Sequence, residues 1–154
     1  MKIVMDSDAL IKLTKSGAKE LITENFDVTI PERVYEETVT EAAAYPDAQE
    51  IHRNVEARRI EVKKTSRAER GEMAVLDLCK RGGYDLLVSD DNRFLKHLAA
   101  DGIPYLTPPF LIIYLLHKKI LSKLNAKKYI DNLKMYISED EYLIAIEEVL
   151  RWAE

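Results

Sequence analysis

The feature that most constrains the fold is a short apolar run near the amino terminus that ends abruptly in acidic residues. Ile3 to Met5 are apolar, and Asp6, Ser7 and Asp8 follow directly. A short apolar run bounded by polar residues is typical of a buried parallel strand. Open α/β sheets bind ligands at the carboxyl ends of their strands, so this position predicts a functional role for Asp6. For Asp8 two roles remain open, capping of the next helix or a contact within the site.

Strand and helix patterns alternate along most of the chain. Four more short strands are predicted at residues 26–30, 60–62, 86–88 and 103–106. Pro31 opens a helix that extends to about residue 44, and Gly82 ends a helix predicted at residues 68–80. Alternation of this kind indicates βαβ units and an α/β fold whose parallel sheet is covered on both faces. We therefore expect one domain over residues 1–154, a three-layer α/β/α sandwich with a central parallel sheet and a helical C-terminal tail.

The C-terminal portion, residues 108–154, is predicted to be entirely helical. Its first helix is apolar from Pro108 to Leu116, and Ser138 and Glu141 have the spacing of a capping box that begins a later helix. Helices that are hydrophobic on all sides are normally buried. Two alternatives remain open for the apolar helix: it is internal to the chain, or part of it forms a homodimer contact.

Composition excludes several classes of protein. A net charge of -4 argues against a broadly basic nucleic-acid-binding surface, although it permits a local basic patch. The single cysteine, Cys79, excludes an internal disulfide and argues against a cysteine-based zinc site. The apolar stretch at residues 108–116 is far shorter than the ~20 residues that span a bilayer, and no secretory signal precedes the first strand. We expect a cytoplasmic protein without membrane contact.

Acidic residues follow two of the predicted strands and lie in the first turns of two predicted helices. These residues are Asp6, Glu36 or Glu37, Glu72, Asp90 and Asp91. A parallel sheet places its strand ends at one edge, and carboxylate oxygens are ligands that suit Mg²⁺ or Mn²⁺. Several carboxylates brought together without a cation would raise one another's pKa. The sequence therefore predicts a divalent metal site at this edge of the sheet.

The order of these motifs resembles the PIN-domain family. The matching motifs are Asp6-Ser7, Ile30-Pro31 followed by Val34 to Glu37, Gly71-Glu72, and Ser89-Asp90-Asp91. The resemblance covers nearly the whole chain and is strongest to a prokaryotic, VapC-like branch with a Gly-Glu pair, an Asp-Asp pair and a helical tail. Asp8 departs from the family pattern, which has a hydroxyl residue or asparagine at that position.

The resemblance implies a metal-dependent endoribonuclease that hydrolyses phosphodiester bonds of single-stranded RNA with Mg²⁺ or Mn²⁺. The catalytic residues that it implies are Asp6, Glu37, Glu72, Asp90 and Asp91, and the metal ligands among them are Asp6, Glu72, Asp90 and Asp91. The implied partners are an RNA substrate, a second copy in a homodimer and, where the enzyme is the toxin of a toxin–antitoxin pair, an antitoxin protein.

Two other functions remain open. One is a phosphatase similar to haloacid dehalogenases, because Asp6-Ser7-Asp8 and Asp90-Asp91 are similar to the acids of that family, although Glu37 and Glu72 would then have no role. The other is a non-catalytic binding module with a PIN fold.

The position of the RNA contacts is also open, and either of two basic segments could hold the phosphates. One holds Lys63, Lys64, Arg67 and Arg70, and the other holds Lys118, Lys119, Lys123, Lys127, Lys128 and Lys134.

Overall fold

Five strands form one parallel sheet in the computed structural model, which describes residues 1–65 and 70–153. The strands are β1 Lys2–Met5, β2 Asp27–Pro31, β3 Ile60–Lys63, β4 Leu86–Val88 and β5 Tyr105–Leu106. Their order in the sheet is β3-β2-β1-β4-β5, and Ile3 of β1 pairs with both Val28 and Leu86. The first strand of the chain is therefore the central one, and the carboxyl ends of β1 and β4 meet where the strand order reverses.

Helices cover the sheet, and the predicted three-layer α/β/α sandwich is confirmed. They are α1 Ser7–Ser16, α2 Lys19–Asn25, α3 Glu32–Tyr35, a π-helical segment Glu36–Thr40, α4 Pro46–Glu56, α5 Gly71–Arg81, α6 Asn92–Ala100, α7 Pro108–His117, α8 Lys123–Asp131 and α9 Glu139–Arg151. The core forms because the strands are apolar on both faces: Ile3, Val4, Ile30 and Leu87 have no exposed surface.

Three predicted elements differ in extent from those observed. The helix after β2 does not continue to residue 44, because α3 passes into the π-helical segment and the chain then turns. There the Glu41 N–H donates to the Glu36 carbonyl, five residues back, at 2.7 Å. The helix predicted at 68–80 begins at Gly71, and its first two predicted residues lie outside the described residues. Strand β5 contains only the second half of the predicted 103–106.

The apolar helix α7 is covered within the chain. Leu111, Ile112 and Leu115 are completely buried, and α7 packs against α1, α8 and α9. Several large apolar side chains on and between α8 and α9 remain exposed instead: Leu124, Met135, Tyr136, Leu143, Ile144 and Leu150. Across the described ranges, no helix has both the length and the apolar character needed to cross a bilayer.

The predicted capping box at the start of α9 is half formed. The Glu141 N–H donates to Ser138 Oγ at 3.2 Å, so Ser138 caps the helix as predicted. The Glu141 carboxylate has a different environment: with Asp90 and Thr107 it lines a small cavity between α9 and the end of β4. Burial, and then the negative charge of Asp90, raise the pKa of Glu141 to about 7.

Candidate active site

A cavity of about 470 Å³ opens at the carboxyl ends of β1 and β4. Four of the five predicted catalytic carboxylates line it: Asp6, Glu37, Glu72 and Asp91. The other polar side chains of its wall are Ser7, Asp8, Arg33, Glu41 and Arg70. The chain brings these residues from four separate elements because β1 and β4 are neighbours in the sheet and α3 and α5 begin beside them.

Asp6 is fixed at the point where β1 passes into α1. Its N–H donates to the Val88 carbonyl at 3.2 Å, which extends the pairing with β4 by one residue. Its carboxylate caps α1 by accepting from the Ala9 N–H at 2.8 Å and accepts a second hydrogen bond from the Ser89 hydroxyl. The residue is only 4% exposed, and burial raises its pKa to about 6 despite these two hydrogen bonds, with the charges of Asp8 and Glu72 adding to the rise.

The helix-capping role left open for Asp8 belongs to Asp6. Asp8 lies in the first turn of α1 with its side chain 62% exposed, and its carboxylate is 3.4 Å from Lys12 Nζ. The sequence was ambiguous because aspartates lie on both sides of Ser7, and an aspartate at either position could cap the helix. The hydrogen bond from the Ala9 N–H to the Asp6 carboxylate decides the assignment.

Glu37 is held from three sides. Ser7 Oγ donates to Glu37 Oε2 at 3.0 Å, and Arg33 Nε lies 3.3 Å from Glu37 Oε1. On the third side, a Cβ added to Gly71 would come within 2.6 Å of Oε1, so only glycine permits this approach. Glu36 does not line the cavity and pairs instead with the Arg33 guanidinium at 3.2 Å. The geometry therefore favours Glu37 over Glu36 as the member of the site.

Arg33 is a member of the site that the sequence analysis missed. It pairs with three glutamates, because Glu41 also lies 2.8 Å from its guanidinium. In a regular α-helix, residues eight positions apart differ by about 80° around the axis. The π turn takes up about one extra residue, which returns Glu41 to the face of Arg33. The spacing of Arg33 to Glu36 and Glu37, three and four residues, was the signal available in the sequence.

Glu72 and Asp91 are neighbouring carboxylates with opposite pKa shifts. Asp91 caps α6 by accepting from the Phe94 N–H at 3.0 Å and the Arg93 N–H at 2.9 Å. These bonds, with a hydrogen bond to Glu72, hold the pKa of Asp91 below its ordinary value. Burial, and then the hydrogen bond with Asp91 and its negative charge, raise the pKa of Glu72. A proton taken up by this pair therefore resides on Glu72.

Asp90, the fifth predicted residue, lies outside the cavity. Its carboxylate is 7% exposed and pairs with Lys12 Nζ, which also faces Asp8. Asp91 caps α6 and lines the cavity, whereas the preceding Asp90 pairs with Lys12 outside it. Asp90 is placed toward Glu141 and Thr107 instead.

The donor set of the cavity suits a hard divalent cation. Its carboxylate and hydroxyl oxygens are the ligands that Mg²⁺ and Mn²⁺ prefer. Within residues 1–65 and 70–153, no three acidic, histidine or cysteine side chains lie close enough together to hold an ion on their own. Mg²⁺ is commonly bound through one or two carboxylates with water completing its octahedron. The buried Asp6 carboxylate, with its raised pKa, is a group whose charge such a cation would stabilise.

The sheet and the cavity together define a parallel α/β domain with an acidic site at the carboxyl edge of its central strands. The family model described as PIN domain matches residues 2–151. The chain therefore belongs to the PIN-domain family, whose members are generally nucleases. This membership sets aside the haloacid-dehalogenase alternative. A search of curated proteins gave no match to the chain.

Proposed function

We propose that the protein is a Mg²⁺- or Mn²⁺-dependent endoribonuclease that hydrolyses phosphodiester bonds of single-stranded RNA. The observation that carries this proposal is the placement of Asp6, Glu37, Glu72 and Asp91 around one cavity of a PIN domain. A solvent-filled cavity of about 470 Å³ lined by carboxylates is poorly suited to an apolar ligand, and it is well suited to a cation with a phosphate bound to it.

Asp6, Glu72 and Asp91 would hold the metal together with water, because no three of the described acidic side chains lie close enough to hold an ion without it. When bound, the ion supplies positive charge that neutralises the phosphodiester and makes a bound water more acidic. Glu37, fixed by Ser7 and Arg33, is positioned to accept the proton of the attacking water. Water adds to phosphorus and the bond to the 3′ oxygen breaks, which leaves a 5′-phosphate and a 3′-hydroxyl that takes up a proton.

Arg33 and Arg70 are the cationic groups of the cavity wall. A guanidinium donates two parallel hydrogen bonds to the oxygens of a phosphate group, which suits it to orient the scissile phosphate. Arg33 therefore has two roles in the proposal, to fix Glu37 and to face the substrate. A lysine at this position would keep the charge but lose the planar contact to several carboxylates.

The direct test is cleavage of a labelled single-stranded RNA with Mg²⁺ or Mn²⁺ and with EDTA in place of the metal. We expect metal-dependent internal cleavage and products with 5′-phosphate ends. A small phosphomonoester incubated in parallel should not be hydrolysed. RNA binding without cleavage under any metal condition would instead identify a non-catalytic binding module.

The two adjacent glutamates are expected to differ in their effect on cleavage. Glu37→Gln should lower the rate at least about a hundred-fold, because it removes the proton acceptor. Glu36→Gln is the matched control on the same segment and should leave the rate close to that of the wild type, since Glu36 lies outside the cavity. Single-turnover cleavage measures both. Equal losses would mean that Glu37 has no special part in the reaction.

Gly71→Ala is expected to separate activity from stability. The added Cβ must displace the Glu37 carboxylate, so we expect cleavage to fall about a hundred-fold. The displaced group is the end of a flexible side chain, and alanine favours the first turn of α5, so thermal stability should stay level or rise slightly. Gly102→Ala is the control: its φ of 67° strains an alanine, which should cost about 1 kcal/mol with no loss of activity.

We further propose that the exposed apolar side chains on and between α8 and α9 contact a protein partner, either a second copy of the chain or an antitoxin. Their exposure supports this, since Met135 and Leu124 are the most exposed large apolar residues in the described chain. Sedimentation at micromolar concentration tests the homodimer, and a species of monomer mass rejects it. Growth arrest by the wild type but not by an inactive variant would support the toxin role.

A further inference from the structure

A second cavity lies at the amino-terminal end of the same sheet. Its volume is about 500 Å³, and it is lined by the first residues of β1 and β2, by Glu61 and Lys63 of β3, by the loop after α4 and by the turn before β4. Four cationic side chains line it: Lys2, Arg58, Arg59 and Lys63. Only two acids, Asp27 and Glu61, are in its wall. In a chain with a net charge of -4, this is a local concentration of positive charge.

Two of the four cations are not neutralised by a neighbour. Arg59 lies 3.4 Å from Glu20 and 3.3 Å from Glu24, and Lys63 lies 3.9 Å from Glu61. The side chains of Lys2 and Arg58 have no carboxylate within 4.0 Å in the part of the chain that the structure describes. The cavity therefore presents two unpaired positive charges to solvent, where they are available to an anion.

Arg58 occupies a backbone position that glycine would adopt without strain. Its φ is 58°, in the left-handed region. It follows the end of α4 in a Schellman motif, in which the Arg59 N–H donates to the Asn54 carbonyl at 2.9 Å. The backbone gains nothing from an arginine here, so the reason for arginine lies in its side chain, which reaches the cavity.

The two cavities share structural elements, because α5 and β1 each contribute residues at or near both walls. Helix α5 begins beside the catalytic cavity, where Gly71 and Glu72 lie in the wall, and ends at Gly82 in the wall of the second cavity. Its 11 residues span about 16 Å. Strand β1 likewise supplies Lys2 to one cavity and Asp6 to the other. A single strand of a few nucleotides is long enough to reach from one to the other.

We propose that the cavity at the amino end of the sheet binds the phosphate backbone of the single-stranded RNA whose scissile bond lies in the acidic cavity. The proposal rests on the proposed function and adds the direction in which the substrate leaves the site. It favours this surface over the lysine-rich C-terminal segment, where Lys127 pairs with Asp131 at 2.7 Å and Lys123 donates to the carbonyls of Leu150 and Trp152.

Arg58→Gly tests the proposal without endangering the fold, because glycine relieves the backbone strain while removing the charge. Lys119→Gly is a matched control. Lys119 has a φ of 59° at the end of α7, in the same kind of motif, and it belongs to the C-terminal lysine segment. Each substitution removes one positive charge and relieves one left-handed residue, so the two variants differ in the location of the lost charge and in the type of side chain that carried it.

The measurement is the affinity of the full chain for a fluorescent oligouridine of about 12 nucleotides, in EDTA, over a series of salt concentrations. We expect Arg58→Gly to weaken binding three- to ten-fold at low salt and to reduce the salt slope by about 0.7. Lys119→Gly should change neither. Equal affinity of the two variants would overturn the proposal, and a loss confined to Lys119→Gly would assign the RNA to the C-terminal segment.

The binding and cleavage measurements together distinguish failure of the binding-site proposal from failure of the proposed nuclease function. Selective weakening by Arg58→Gly in a protein that does not cleave RNA with metal would support the binding site and reject the nuclease. Metal-dependent cleavage with equal RNA affinities of the two variants would retain the nuclease and reject this binding site. A wild-type protein that neither binds nor cleaves RNA would reject both.

Discussion

Replacement of Asp6 by asparagine is expected to lower the rate of RNA cleavage by at least about a thousand-fold and to stabilise the metal-free protein at neutral pH. The activity is expected to fall because the most buried carboxylate of the acidic cavity loses its charge. The fold is retained because asparagine still accepts the Ala9 N–H and still bonds to Ser89. Single-turnover cleavage and urea unfolding measure the two effects on the same samples.

The stability gain should depend on pH in a defined direction. Burial raises the pKa of Asp6 from 3.8 to about 6, so the folded state binds this proton more tightly than the unfolded state. The contribution of Asp6 to the free energy of unfolding therefore falls as pH rises from about 4 to about 6, by up to about 3 kcal/mol. The asparagine variant lacks this group, so its advantage should be absent near pH 4 and complete near pH 7.

Asp77→Asn is the control for the Asp6 variant, because it removes a surface carboxylate that pairs with Arg81 and lies outside the catalytic cavity. It should leave cleavage unchanged and alter stability by less than about 1 kcal/mol. An Asp6→Asn variant that is less stable than the wild type at neutral pH would show that the buried carboxylate is compensated by contacts other than those described.

Replacement of Asp91 by asparagine or by alanine is expected to abolish cleavage. The effect on stability should differ between the two substitutions. Asp91→Asn removes the charge but keeps an oxygen that accepts from the Arg93 and Phe94 N–H groups, so α6 stays capped. Asp91→Ala removes the charge and the cap, which should cost an additional ~1 kcal/mol of stability. Thermal unfolding separates the two variants, and both should be inactive.

Asp90→Asn, at the preceding residue, is the matched control for the Asp91 variants. Because the Asp90 carboxylate faces Lys12 rather than the catalytic cavity, we expect a much smaller loss of cleavage than for Asp91→Asn. A loss as large as that of Asp91→Asn would return Asp90 to the catalytic set and show that the pairing with Lys12 is broken when metal and substrate bind.

The sheet and its acidic edge were predictable because strand signals are local. Apolar runs such as residues 86–88, flanked by turn residues, determine where the strands lie, and alternation with helices determines that the sheet is parallel. The carboxyl ends of neighbouring strands then converge whatever the loops do. This is why Asp6 and Asp91, each directly after a strand, were predicted at the same edge where the structure places them.

The side-chain pairings around the cavity were not predictable in the same way. Lys12 pairs with Asp90 across 78 positions of sequence, and no local pattern indicates that contact. The π-helical segment that brings Glu41 to Arg33 depends on a single extra residue within a helical pattern, which propensity does not detect. The Glu141 side chain does not complete the capping box, because the fold places it beside Asp90 and Thr107.

The central position of β1 has a consequence for biosynthesis. Chains fold from the amino terminus as they are made, yet the Ser89 hydroxyl that contacts Asp6 is 83 residues further along. Strand β1 therefore keeps one edge unpaired until β4 emerges from the ribosome, and the buried leucines of α7 stay uncovered until α9 follows. We expect the nascent chain to be inactive toward the ribosome and the message that surround it until β4 and α9 have emerged and packed.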